Sequence, residues 1–320
     1  MTLTLLGLMV TFIIFVLVIG FVAFELGKQS PASAKLPAPE LNPKLKISKP
    51  DSKISLLVPY RESSNVERSM NWAWLQEYYK ENMPEAFELI IGTNTEIPFC
   101  KSAAVNDAFK RSSGDIVVIL DADCYIDTGT VVRLAKAIRN SRIDNRKLWY
   151  IPYRRFYRLS APASNELLMS DPHDPMKFAD PPSAYDLDHT HGISFGHWYG
   201  ALIQIMPREA FVDGGGMDEC MKGWGGEDIS FMHAVDTMYG RHKTFDGPVY
   251  HMWHPTIAGV WQQTRQWEGQ ERPEMNDHLT TQYTLSNGDK LRMRELLDSR
   301  FAEDDLCGTS GTISLTLYAG

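Results

Sequence analysis

The chain has 320 residues, a formal net charge of −8, 43% hydrophobic residues and 22% charged ones. That is the composition of a folded globular protein, and it excludes a disordered, collagen-like or disulfide-scaffold chain. The charge is uneven: residues 1–53 sum to +3 and the remaining body to −11. An acidic body with no basic stripe argues against a nucleic-acid partner, because neutralising phosphates takes clustered Lys and Arg. Cys100, Cys124, Cys220 and Cys307 lie far apart with no CxxC pair. They predict neither a zinc knuckle nor a disulfide framework, and point to a reducing compartment.

Leu3–Phe24 is almost wholly apolar, and no charged side chain precedes Glu25. A helix of that length spans roughly 30 Å, the thickness of a bilayer's hydrocarbon core. A cleaved signal peptide is the rival, since Ala32-Ser33-Ala34 resembles a cleavage site. The run has no leading Lys or Arg and is too long for a signal peptide's apolar region, so residues 1–26 are expected to be a transmembrane anchor. The positive charge follows the run, which places the body in the cytosol. Residues 27–50 hold five prolines and five lysines and read as a semi-extended tether.

From residue 51 the pattern alternates. Ile54–Pro59 predicts a strand, Val66–Tyr79 a helix, Phe87–Gly92 a strand and Ser102–Lys110 a helix. Asp115–Leu120 predicts a strand buried on both faces, and Thr130–Arg139 a helix. This order predicts an α/β fold: a mostly parallel central sheet flanked by helices, with ligands at the carboxyl ends of the strands. After a strand at Trp149–Tyr153, residues 160–198 are rich in Pro, Asp, Ser and His and predict a long lid or binding loop. Strand Ala201–Met206, a short segment Pro207–Phe211, helix Gly226–Tyr239 and strand Thr244–His251 follow. The expected domain covers 51–270. Residues 271–320 form an extension with a helix at Lys290–Phe301.

Three clusters offer chemistry. Asp121-Ala122-Asp123 follows the most apolar strand, where paired carboxylates can hold a divalent cation and a nucleotide's ribose. Gly214–Glu219 and then Gly223-Trp224-Gly225-Gly226-Glu227-Asp228 open a helix. There glycines allow close approach, Trp224 offers a flat platform, and Glu227 and Asp228 offer a base and an acceptor. Acidic residues complementing a helix dipole are the plainer reading of that last pair. His251 and His254 close a strand and can face one cation if the chain turns. His189, His191 and the Asp171–Asp174 segment read as solvated loop residues.

Four motifs stand in order: VPYRE (58–62), PFCKSAAVNDAF (98–109), DAD (121–123) and GWGGED (223–228), then the histidine pair. In this the chain resembles glycosyltransferases of the GT-A fold, of the broad family-2 type. Its second half is similar to the beta-4-galactosyltransferases and polypeptide N-acetylgalactosaminyltransferases. The resemblance covers about 54–256 and implies a metal-dependent, inverting transfer of a hexose from a UDP-sugar. The sugar would be of galactose, N-acetylgalactosamine or glucose type, and the acceptor a glycan, lipid-linked or protein hydroxyl. By position it implies that Pro59, Arg61, Phe99, Lys101, Asp121 and Asp123 bind the donor and Trp224 the acceptor. Asp228 would be the base and Glu227 a donor-sugar contact. Asp123, His251 and His254 would hold Mn2+ or Mg2+.

Lys101 stands where those enzymes carry Arg, and His251 where they carry Met. The latter change hardens the ligand set and leaves the cation open. A nucleotidyl- or phosphotransferase on a related sheet, or a non-catalytic glycan- or nucleotide-binding module, are the competing readings. The first leaves Trp224 and GWGGED unexplained.

Overall fold

The structure, a computed structural model, describes residues 51–62, 65–83, 86–188, 200–223, 225–255 and 274–302. All of them belong to one unit, Leu41–Gly320. The first half runs β1 (Asp51–Pro59), α1 (Val66–Asn82), β2 (Phe87–Gly92), α2 (Lys101–Arg111), β3 (Gly114–Leu120), β4 (Cys124–Tyr125) and α3 (Thr128–Ile143). Then come β5 (Tyr150–Ile151), β6 (Arg155–Arg158), α4 (Ala161–Met169), β7 (Ile203–Pro207) and α5 (Arg208–Asp213). The described chain ends with α6 (Glu227–Met238), β8 (Lys243–Thr244), β9 (Pro248–His251), α7 (Glu274–Ser286) and α8 (Lys290–Ala302). The anchor and tether expected at 1–50, His189, His191 and Trp224 lie outside the described residues. Among those described, no helix is long and apolar enough to cross a membrane.

Every residue of β3 is buried, as its unbroken apolar run requires. Burying each of Ile116, Val118, Ile119 and Leu120 contributes roughly 1.5–3 kcal/mol. β1 pairs parallel with β2 and with β3, and a six-stranded sheet forms in the order β2-β1-β3-β7-β5-β8. β7 runs antiparallel to both β3 and β5. The sheet is therefore mixed, but β7 is its one reversed strand and the other five run the same way, mostly parallel as expected. Apolar strands read alike in either direction, and β7 enters after a long connection rather than a crossover helix. Gly92 shows how closely α2 approaches: a Cβ there would lie 1.8 Å from the Ala104 carbonyl oxygen.

Two corrections concern local signals. The run Thr244–His251 is two strands, not one. It breaks at Phe245-Asp246-Gly247, where Gly247 N–H donates to the Phe245 carbonyl (3.0 Å). β8 joins the large sheet, and β9 lies between β4 and β6 in a second sheet of three. Asp-Gly-Pro is the turn signal that divides them. The segment expected as an irregular loop from residue 160 begins with a capped helix. The Ser160 hydroxyl accepts from Ala163 N–H, and Pro162 sits in the first turn of α4. Cys100 and Cys124 are free and buried, but Cys220 is disulfide-bonded, so the thiol-only expectation fails there. A disulfide persists in oxidising surroundings.

At the end of the sheet away from the strands' carboxyl termini, Glu88 gathers four partners. It accepts from Ser55 Oγ (2.7 Å), Ser113 N–H (2.6 Å) and Gly114 N–H (3.1 Å), and pairs with Lys53 Nζ at 2.7 Å. Partial burial opposes its charge, but Lys53 and these donors outweigh it and hold its pKa at about 2. A carboxylate depressed in the folded state stabilises above its unfolded pKa, and that contribution disappears as pH falls toward 2. Glu88→Gln is therefore expected to lower stability at pH 7 and to flatten the acid limb between about pH 4.5 and 2. Urea titrations across that range, showing equal slopes for both proteins, would contradict this.

Candidate active site

The carboxyl ends of β1 and β3 lie side by side, and the chemistry collects there. Asp121 leaves β3 with its N–H donating to the Leu202 carbonyl (2.8 Å), and Cys124 N–H returns to the Asp121 carbonyl (3.0 Å). This turn presents Asp121 and Asp123 before the chain enters β4. Two tyrosines of α1 clamp the segment beyond it: Tyr79 Oη donates to the Cys124 carbonyl (2.8 Å) and Tyr78 Oη to that of Ile126 (3.1 Å). Burial raises both phenols, Tyr78 to about 12, so they stay protonated donors.

β4 pairs antiparallel with β9 so that Cys124 faces His251, and Met252 N–H donates to the Asp123 carbonyl (2.9 Å). The register sets His251 Nε2 3.8 Å from Asp123 Oδ1 and His254 Nε2 3.2 Å from Asp123 Oδ2. One ligand atom from each of the three lies within 4.8 Å of the others. The turn after β9 is held by Asn71 Nδ2 donating to the Trp253 carbonyl (3.0 Å) and Trp253 N–H donating to Ser164 Oγ (2.7 Å).

Electrostatics prepares this trio for a cation. Burial works against the Asp123 carboxylate, but His251, His254 and Arg68 outweigh it and hold it well below the usual carboxylate range. Burial lowers His251 to about 4 despite Asp123, so its imidazole is neutral at pH 7. Burial opposes charge on His254 too, but the bond to Asp123 wins and raises it. The Pro255 carbonyl lies 3.0 Å from His254 Nδ1, which takes that nitrogen as donor and leaves Nε2 for Asp123 or a metal. One carboxylate and two imidazoles fit a divalent ion of the first transition row.

The second cluster centres on Lys101 at the start of α2. Its Nζ lies 2.7 Å from Asp121 Oδ1, 2.8 Å from Asp228 Oδ2 and 3.8 Å from Glu227 Oε1. Three carboxylates surround one ammonium in a nearly buried pocket. Burial and the surplus negative charge raise Asp121 and Asp228 despite Lys101, while Asp121, Asp228 and Glu227 raise Lys101 against its own burial. Glu227 and Asp228 occupy the first turn of α6, favourable for its dipole. Gly225 N–H donates to Glu227 Oε2 (3.2 Å). Gly226 has φ +93°, and a Cβ there would fall 2.1 Å from Thr280 Oγ1, so glycine is required.

Arg61 and Phe99 meet at the end of β1, the guanidinium 5.1 Å from the ring centroid. Arg61 also donates to the Glu96 carbonyl (2.6 Å), and Pro59, the last residue of β1, is in register with Gly92. The structure thus groups Asp123 with His251 and His254, Lys101 with Asp121, Glu227 and Asp228, and Arg61 with Phe99.

Gly214–Glu219 is different from what its glycines suggest. Asn106 exchanges bonds with Met217 (2.8 and 3.0 Å), Tyr283 Oη donates to Asp218 (3.0 Å), and Gly215 and Gly216 carbonyls accept from Arg300. It is a packed joint. His173 is exposed beside Glu81 at 3.5 Å. Asn276, buried on α7, is a supporting residue with no local sequence signal: its Nδ2 donates to the carbonyls of Lys222 (2.9 Å) and Gly225 (3.0 Å).

The family model of glycosyl transferase family 2 matches residues 72–193. That stretch contains Phe99, Lys101, Asp121 and Asp123, and it bears out the family-2 resemblance drawn from the motifs. No curated protein matches the chain by sequence. Among solved structures, the chain is similar to the catalytic domain of Drosophila beta1,4galactosyltransferase 7 in complex with xylobiose. The identity is 14%, the coverage 72% of this chain and 80% of that one, and the TM-score 0.38. A mutant of the Drosophila enzyme in complex with manganese, UDP-Gal and xylobiose gives 15% identity, 72% and 79% coverage and a TM-score of 0.39. GalNAc-T7 with UDP, GalNAc and Mn2+ gives 12% identity, a TM-score of 0.40 and coverage of 78% of this chain but 55% of that one.

Lys101→Met tests the charge cluster. It leaves three carboxylates facing one another, and the expected loss is about 3 kcal/mol of unfolding free energy at pH 7. Carboxyls raised in the folded state favour folding as pH falls, so the deficit should shrink toward pH 5. Denaturant melts showing a deficit independent of pH would contradict the arrangement.

Proposed function

We propose that this glycosyltransferase carries a GT-A type fold and moves a hexosyl group, of galactose, N-acetylgalactosamine or glucose type, from a UDP-sugar to a hydroxyl. The acceptor is a glycan, a lipid-linked saccharide or a protein side chain, and the transfer inverts the anomeric centre. The observation that carries this reading is the convergence of Asp123, His251 and His254, with Asp123 two residues from Asp121, whose partner Lys101 also holds the half-buried carboxylate Asp228. Mn2+ or Mg2+ held by those three residues would act as a Lewis acid on the donor's diphosphate.

The chain's own groups divide the remaining work. Arg61, Phe99 and Pro59 form a surface suited to the uracil, and Asp121 faces the ribose. Lys101 holds Asp228 and Asp121 in place. As the acceptor oxygen bonds to the anomeric carbon, the bond to the diphosphate oxygen breaks and leaves its electron pair there. The acceptor's proton passes to Asp228, a stronger base than an exposed carboxylate because burial raises it. Glu227, tied to Gly225 N–H, is assigned to the donor sugar. Trp224, outside the described residues, is assigned from sequence to the acceptor platform.

Residues 1–26 are proposed as a membrane anchor and 27–50 as its tether. Positive charge after the apolar run favours a cytosolic body, and the disulfide at Cys220 favours an oxidising space. Protease protection in sealed vesicles decides the side.

Asp123→Ala is expected to abolish Mn2+-stimulated release of UDP from donor sugars. Asp228→Asn is expected to lower transfer about a hundredfold or more while nucleotide affinity stays near wild type. Equal loss of nucleotide binding in Asp228→Asn would remove it from the role of base. Pyrophosphate as the released product would favour nucleotidyl transfer instead.

A further inference from the structure

Arg68 lies in the first turn of α1, where a positive charge opposes the helix dipole. Its backbone N–H is satisfied by Asn65 Oδ1 (2.9 Å), so the turn itself is well capped. Its side chain is not settled in the same way. Nε is buried without a hydrogen-bond partner and stands 3.9 Å from Asp123 Oδ2, the oxygen that His254 approaches at 3.2 Å. A guanidinium that serves only to hold a carboxylate looks different in this same protein: Arg139 grips Asp115 with two bonds of 2.8 and 3.0 Å. Arg68 faces Asp123 without gripping it.

We propose that Arg68 is a diphosphate anchor, a donor-binding residue that engages the anion bridging it to the cation on Asp123, His251 and His254. This rests on the metal-dependent reading above. With a divalent ion in place, one carboxylate and two neutral imidazoles leave a surplus positive charge next to the guanidinium. Like charges at that spacing repel unless an anion lies between them. A diphosphate supplies both the charge and the oxygen geometry that a guanidinium fork matches. α1, which carries Arg68, is tied by Tyr79 and Tyr78 to the Cys124 and Ile126 carbonyls in the segment that follows Asp123. Lys101 on Asp121 and Arg68 on Asp123 then flank the Asp-Ala-Asp turn with a cation apiece.

Calorimetric titration of the full chain with Mn2+ alone, and with inorganic diphosphate in the presence of Mn2+, tests this in wild type, Arg68→Gln and Arg68→Lys. Arg68→Gln should weaken diphosphate binding about tenfold to a hundredfold, with Arg68→Lys recovering part of it. Affinity for Mn2+ alone should be unchanged or tighter once the neighbouring positive charge is gone. Wild-type diphosphate affinity in Arg68→Gln overturns the proposal. So does a matching loss of Mn2+ binding, which would make Arg68 a mere support of Asp123, and so does a wild-type protein that binds no diphosphate with Mn2+. Arg68-dependent diphosphate binding without turnover of any UDP-sugar would keep the anchor and remove the glycosyl-transfer reading.

Discussion

A two-residue strand governs the chemistry of this molecule. β4 is only Cys124–Tyr125, yet its antiparallel pairing with β9 carries His251 across the chain to the residue that follows Asp123. Side chains alternate along a strand, so slipping that register by one residue would turn His251 away from the site. Ladder bonds alone would hold so short a pair weakly. The register is secured instead by Met252 N–H on the Asp123 carbonyl and by Tyr79 on the Cys124 carbonyl. Tyr125 and Tyr250 pack as tilted rings across the pair at 5.9 Å. A candidate ligand set whose members stand up to 131 residues apart in sequence thereby becomes local.

The two charge clusters behave differently because their balance differs. Around Asp123, a single carboxylate faces two imidazoles and Arg68, and its proton affinity falls. Around Lys101, carboxylates outnumber the single ammonium, and Asp121 and Asp228 hold protons more readily. Carboxylates two residues apart, Asp121 and Asp123, are thereby pushed in opposite directions by their surroundings. Both clusters sit at the carboxyl ends of parallel strands, where the loops converge and helix amino termini point inward. Glu88, at the far end, is a structural anchor by the same geometry.

The strands β1, β2 and β3 and the helices between them follow from the apolar run lengths and spacing, and the motif residues cluster as their order suggests. Where the structure departs from expectation, the missing information was not local. β7 has the composition of any buried strand, so its reversed direction has no signature. Gly214–Gly216 looks like a ligand-approach loop, but Asn106 and Arg300 from distant helices make it a joint. Asn276 supports the Gly223–Asp228 loop from a helix about fifty residues away, and nothing near it in sequence announces that contact.

Local sequence dictated which side chains could do chemistry here and the elements that carry most of them, because burial periodicity and turn residues act over a few positions. Which of those side chains meet was settled by the folded chain alone. Long-range pairing made the sheet mixed, divided residues 244–251 between two sheets and brought Arg68 to Asp123. These outcomes depend on contacts between segments tens to more than a hundred residues apart, whose free energy belongs to the folded chain as a whole and to no short stretch of it.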